Sequence, residues 1–174
     1  MLETVRNFAI DHFIIIKAVH IISATFWAFA VIGSYFFYVI PAMREVAKNP
    51  SDPEMVRRGH WVLEQFDRVT ILQHAAFIGI LCTGPLLFLS GVAGFSDGWF
   101  AVKMAIILPF FIPGEIYGMW YTHIKSRRMT RNKAADPAAY AAFRKRNDKL
   151  LYWGIIPTVV LIPSVLFLAL TKPF

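Results

Sequence analysis

The chain has 174 residues, 57% hydrophobic and 17% charged, with a mean hydropathy of +0.52, against roughly 45–50% apolar and 25% charged residues in soluble domains. This composition excludes a disordered chain, a secreted disulfide scaffold and a soluble two-domain enzyme; the one cysteine, Cys82, has no intrachain partner, and no Cys-x-x-Cys-His pattern exists for covalent haem. The net charge of +7 sits beside apolar blocks, where anionic headgroups attract Lys and Arg at about 1 kcal/mol each, so it argues for a membrane surface and against nucleic acid.

Four apolar blocks, at residues 12–40, 69–90, 98–123 and 150–170, are each long enough to cross a hydrocarbon core of about 30 Å. They predict an all-α integral membrane four-helix bundle forming a single domain over residues 1–174. The first block would measure about 43 Å as a helix, longer than the core, so it should tilt or protrude, and Pro41 should end it. Ala28-Phe29-Ala30 has the small-x-small form of a signal cleavage site, but the apolar run continues past it and holds Lys17 and His20, which argues against cleavage. Asn49-Pro50-Ser51-Asp52-Pro53-Glu54 reads as a turn and helix start, predicting a short surface helix over 54–68. The second block contains Gly84-Pro85, a predicted kink, and ends at Gly91 and Gly94. In the third, Pro109, Pro113, Gly114 and Gly118 predict bent geometry and close helix approach. Asp136-Pro137 predicts a second surface helix over 137–149, ahead of the fourth block.

Lys and Arg number five between blocks one and two, none between two and three, and nine between three and four. By the positive-inside rule connections 41–68 and 124–149 are cytoplasmic and both termini are outside, as in a bacterial inner-membrane protein.

An ionisable side chain at membrane depth costs about 2.5–3.5 kcal/mol on insertion scales, so each one asks for a partner, a cavity or a cofactor. Lys17, His20 and Lys103 fall toward the outer face; His74, Glu115 and His123 fall toward the inner face. His20 and Lys103 lie about 8–12 Å below the outer surface and could face one site. Ser23, Ala24, Trp27, Val31 and Ser34 follow His20 at helical spacing and could admit a flat ring. His20 is the first candidate for a haem or metal ligand. The bland readings stand beside this one: small residues also serve plain packing, Trp27 also reads as a core aromatic, and Lys17 and Lys103 also read as snorkelling to the interface. The inner group carries no local ligand motif; His74 would be the ligand of a second site only if two helices bring it to Glu115 and His123, and His60 and His123 read as interfacial.

The run Ile16-Lys17-Ala18-Val19-His20-Ile21-Ile22, then Trp27 and Pro41-Ala42-Met43-Arg44, resembles the first helix of HemJ-type proteins. Gly98-Trp99-Phe100-Ala101-Val102-Lys103 resembles the start of their third helix, and Pro157-Thr158-Val159-Val160-Leu161 with Lys172-Pro173-Phe174 resembles their fourth helix and tail. The chain departs from that pattern at Ile155-Ile156 and at Gln73-His74. The run from Lys17 to Thr25 is also similar to related uncharacterised four-helix membrane families and, more loosely, to CopD copper-resistance proteins. The resemblance implies haem b held through His20, with Lys103 a site residue, and oxidation of protoporphyrinogen IX to protoporphyrin IX with electrons passed to a quinone. Here Lys103 would hold a propionate and Lys17 would steer an anionic substrate. Two other classes fit the same residues: a b-type cytochrome relaying electrons in a homo-oligomer or larger membrane complex, and a protein passing copper or a small solute.

Overall fold

The computed structural model describes residues 1–173, without the side chains of Val31, Asp148, Tyr152, Ile155 and Ile156. Among the described residues it is all-helical: α1 (Leu2–Asp11), α2 (Phe13–Ser34), α3 (Ile40–Lys48), α4 (Pro53–Leu89), α5 (Gly98–Ile106), α6 (Ile112–Trp120), α7 (Arg127–Arg131) and α8 (Pro137–Thr171). Wide π turns at Tyr35–Val39, Ile107–Phe111 and Tyr121–Ser126 join α2 to α3, α5 to α6 and α6 to α7, giving continuous helices over Phe13–Lys48 and Gly98–Arg131. These two and Pro53–Leu89 are long and apolar enough to cross a membrane, whereas Pro157–Thr171 within α8 is a shorter apolar helix.

Pro41 does not end the first helix, contrary to expectation. Its missing N–H and its ring would disrupt a regular α turn, but the preceding turn is already widened. Ile40 donates its N–H to the Tyr35 carbonyl five residues back, and Pro41 sits at the start of α3. The same device recurs in the third helix, where Ile112 N–H bonds the Ile107 carbonyl just before Pro113.

The two surface helices expected over 54–68 and 137–149 are not separate elements. Asp52 caps α4 by accepting from Glu54 N at 2.9 Å, and Asp136 caps α8 by accepting from Ala139 N at 2.9 Å; a proline fills the first helical position after each cap. Nothing between residues 54 and 73 or 138 and 156 breaks a helix, because the change from charged to apolar residues is a change of solvent and not of backbone. Gly91 at φ +82° makes the turn after α4, a conformation glycine adopts without Cβ strain.

Helices α2 and α4 pack closely. A Cβ on Gly79 would come within 2.5 Å of Ser23 Oγ on α2, and one on Gly59 within 2.5 Å of Val46 Cγ2 on α3, so each glycine makes room for a side chain of the neighbouring helix. Trp27 and Ala28 from α2, Phe77 from α4, Phe111 from the second π turn and Ile162 from α8 form one buried cluster, and Tyr35, Val39, Leu63 and Phe66 form another toward the charged connections. Outward positions are apolar as well: Ile14 is 80% exposed, Phe29 75%, Phe37 78% and Leu170 82%. An outer surface of that kind is suited to hydrocarbon.

Candidate functional site

The sequence-predicted residue His20 lies on α2 and is half-buried against α4. His20 Nδ1 lies 2.8 Å from Thr83 Oγ1 on α4, and the Lys103 ammonium on α5 is within electrostatic range of the imidazole. The Thr83 hydroxyl donates to the Gly79 carbonyl at 2.6 Å. With its hydrogen committed there, Thr83 Oγ1 can only accept from His20, so Nδ1 carries the imidazole proton and the lone pair on Nε2 is left for another partner. Gly84 of α4 lies against the ring, where a Cβ would stand in ordinary contact with His20 Cε1 at 3.7 Å. Lys17 is exposed one turn before His20, with its ammonium 5.8 Å from the Phe13 ring centre.

Trp27 belongs to a different, deeper cluster. Its indole packs edge-on against Phe111 with ring centres 5.1 Å apart, and Nε1 donates to Glu115 Oε1 at 2.9 Å. Gln73 Nε2 donates to the same oxygen at 2.8 Å. Three helices therefore share one carboxylate oxygen, while among the described residues the buried Glu115 Oε2 has no hydrogen-bond partner. His74 Nε2 faces Oε2 at 3.8 Å, beyond hydrogen-bond length, and His74 Nδ1 lies 3.0 Å from His123 Nε2. Gly118 leaves room for this arrangement, since a Cβ there would stand 3.5 Å from His74 Nε2. His74 thus stands between Glu115 and His123, and His123 also borders the basic segment with Arg127 and Arg128.

A cavity of about 450 Å³ opens beside this cluster, between the second, third and fourth long helices. Gln73, His74, Glu115 and Tyr121 are among its polar lining residues and Phe66 and Leu151 among its apolar ones, while Glu115 Oε2 and the Tyr121 hydroxyl are themselves buried.

Below the cavity, toward the charged connections, lies a network that sequence reasoning missed. Arg144, counted there as one of nine interfacial charges, is fully buried. Its Nη1 bonds Asp67 Oδ2 at 3.1 Å and its Nε donates to Tyr140 Oη at 3.0 Å. Tyr140 in turn donates to Glu64 Oε1 at 2.7 Å, as does Lys133 at 2.9 Å, and Ser126 donates to Asp67. Burial, together with the bond to Glu64, pushes the Tyr140 phenol above its ordinary pKa. The signal was the spacing of Tyr140, Phe143, Arg144 and Asn147, a helical face on which all four residues are buried.

Among the described residues no group of three or more His, Cys, Asp or Glu side chains is arranged to hold a bare metal ion. A haem poses a different requirement: it brings four nitrogens and asks the chain for one or two axial atoms. The free lone pair of His20, oriented through Thr83, fits that requirement as a ligand supported by a neighbouring hydrogen bond. No protein family, curated protein or solved structure matches this chain.

Proposed function

We propose that the chain is an integral membrane protein whose four helices cross the bilayer as a bundle, and that it binds haem b through His20 for HemJ-type redox chemistry. In this reading connections 41–68 and 124–149 are cytoplasmic and both termini are outside, following the charge distribution. Ile162 of α8 in the same buried cluster as Trp27, Phe77 and Phe111 supports a fourth member of the bundle. The observation that carries the cofactor assignment is the 2.8 Å contact of His20 Nδ1 with Thr83 Oγ1, whose hydroxyl bonds the Gly79 carbonyl; this assigns the proton to Nδ1 and leaves Nε2 for another partner. Bound haem would supply an iron that cycles between oxidation states in a low-dielectric setting. Lys103, half-buried beside His20, is suited to pair with a carboxylate such as a propionate, and exposed Lys17 offers an anionic porphyrinogen a charge at the outer face. The reaction in view is the oxidation of protoporphyrinogen IX, with electrons and protons delivered to a quinone.

A pyridine haemochrome assay and a reduced-minus-oxidised spectrum of the purified protein test this reading. The expected result is b-type haem that His20→Ala removes and His123→Ala leaves largely bound. A purified protein without haem, or a His20→Ala variant with an unchanged spectrum, overturns it. Turnover of protoporphyrinogen IX with a quinone acceptor then separates an enzyme from an electron relay.

A further inference from the structure

Among the described residues, Lys48, Arg57, Lys133 and Arg144 each have a carboxylate partner, in Glu45, Glu54, Glu64 and Asp67 respectively. Arg127, Arg128 and Arg131 have none among those residues, yet all three line one hollow of about 430 Å³ at the charged end of the third long helix. No carboxylate lines it with them, and Glu115 is the only acid between residues 98 and 135. Three guanidiniums around one hollow repel one another, and an anion seated among them replaces that repulsion with charge-assisted hydrogen bonds. The planar fork of a guanidinium matches the oxygens of a phosphate.

The rest of the wall restricts the kind of anion. Ile124 lines the same hollow and is 59% exposed, and the preceding turns of the helix present exposed Trp120 and Ile116. Lys125 is turned onto the rings of Trp120 and Tyr121, its ammonium 5.6 Å from both centres, a pairing of aromatic and basic residues suited to the level where hydrocarbon gives way to headgroups. A free phosphate would use the arginines and leave the apolar surface bare. A glycerophospholipid uses both, with its phosphate among the guanidiniums and its acyl chains against the apolar turns. The headgroup is restricted too. The ammonium of phosphatidylcholine or phosphatidylethanolamine would meet three guanidiniums and no carboxylate, whereas a glycerol headgroup brings hydroxyls that the amide of Asn132, on the same hollow, can bond.

We propose that Arg127, Arg128 and Arg131 form a binding site for an anionic glycerophospholipid of the phosphatidylglycerol class. The site rests on the membrane part of the reading above and is independent of haem.

The test uses the full chain in detergent micelles and a phosphatidylglycerol carrying a dansyl group on one acyl chain, read by energy transfer from tryptophan, since Trp120 lies one turn from Ile124. Saturable transfer that unlabelled phosphatidylglycerol displaces is expected. Arg128→Gln should weaken binding about fivefold, the contribution of one arginine near a membrane surface, and the triple variant Arg127→Gln, Arg128→Gln, Arg131→Gln about a hundredfold. A second triple variant, Arg44→Gln, Arg57→Gln, Arg58→Gln, removes the same charge from exposed positions on the other basic connection and should change the affinity by less than about twofold. Circular dichroism checks each variant, and Arg128→Gln carries the comparison if the first triple variant loses helix. An equal loss in the two triple variants, displacement as effective with phosphatidylcholine as with phosphatidylglycerol, or displacement by millimolar inorganic phosphate each overturns the proposal. A chain that stays monodisperse without detergent and takes up neither lipid overturns the membrane reading itself; one that needs detergent but shows no preference for phosphatidylglycerol overturns only this site.

Discussion

Asp67→Asn is the substitution that tests the buried network most directly. The change preserves shape and leaves a carbonyl to accept from Ser126, but it removes the charge facing Arg144 at 3.1 Å. The guanidinium is 0% exposed and already has one nitrogen, Nη2, without a partner among the described residues. Breaking a buried pair from one side typically costs about 3–5 kcal/mol, because the remaining charge is stranded. Asp67 is 18% exposed, and solvent reaching that side places the expected loss at the lower end, about 3 kcal/mol. Arg144→Met removes the stranded charge and retains an apolar stem against Tyr140 and Phe143, whose ring centres lie 5.4 and 5.6 Å from the guanidinium; its cost should be about 1–2 kcal/mol. The double variant should be no less stable than Arg144→Met alone, a coupling of about 3 kcal/mol. Reversible unfolding in mixed micelles, followed by tryptophan fluorescence, measures all four corners of the cycle. If Asp67→Asn lies within about 0.5 kcal/mol of the parent, the pair behaves as a surface ion pair and the buried-clamp reasoning is refuted.

Lys103→Arg should keep haem and a near-normal Soret band, since guanidinium retains the charge, whereas Lys103→Met should lower haem occupancy or turnover; a Soret shift in the Arg variant would instead mark Lys103 as an iron ligand. Cysteine-accessibility labelling on a Cys82→Ser background should report cytoplasmic exposure at positions 51 and 134 and external exposure at 96, and external labelling at 134 would reverse the orientation. Gly59→Ala should destabilise by about 1–3 kcal/mol because its Cβ would meet Val46 at 2.5 Å; Val46→Ala on the same chain should restore most of that loss, and no recovery in the unfolding midpoint would count against the contact.

What the sequence disclosed was governed by solvent. Runs of about 20 apolar residues are legible because a hydrocarbon core leaves few alternatives to a helix. Depth counting along helices put His20 and Lys103 at one level, and the inner histidines and Glu115 were marked by their cost in an apolar block. Pro41 misled because a proline's effect depends on the turn before it, and a π turn has no simple residue signature. Helix α1 was not legible although Leu2, Val5, Phe8 and Ala9 repeat at helical spacing, since ten residues mixed with Glu3, Arg6, Asn7 and Asp11 carry too weak an apolar signal beside the block that follows. Trp27 was legible as buried but not as the donor to Glu115, 88 residues away in sequence. Arg144 could not be separated from its neighbours by counting charge, which records sign and not surroundings.

The π turns ahead of Pro41 and Pro113 hold the following segments at a fixed azimuth. A π turn holds about one residue more per turn than the 3.6 of a regular α-helix, so the five residues Tyr35–Val39 cover about the angle that four would cover in an α turn. Removing one of them would leave α3 at nearly the same azimuth, with Val46 still facing Gly59, but it would take away the five-back bond of Ile40 N–H and set Pro41 into a regular turn that its ring disrupts. These turns are therefore the one place in each helix where a single-residue deletion keeps the phase and is opposed only by the proline that follows, while the exposed side chains of Phe36, Phe37 and Tyr38 are free to vary.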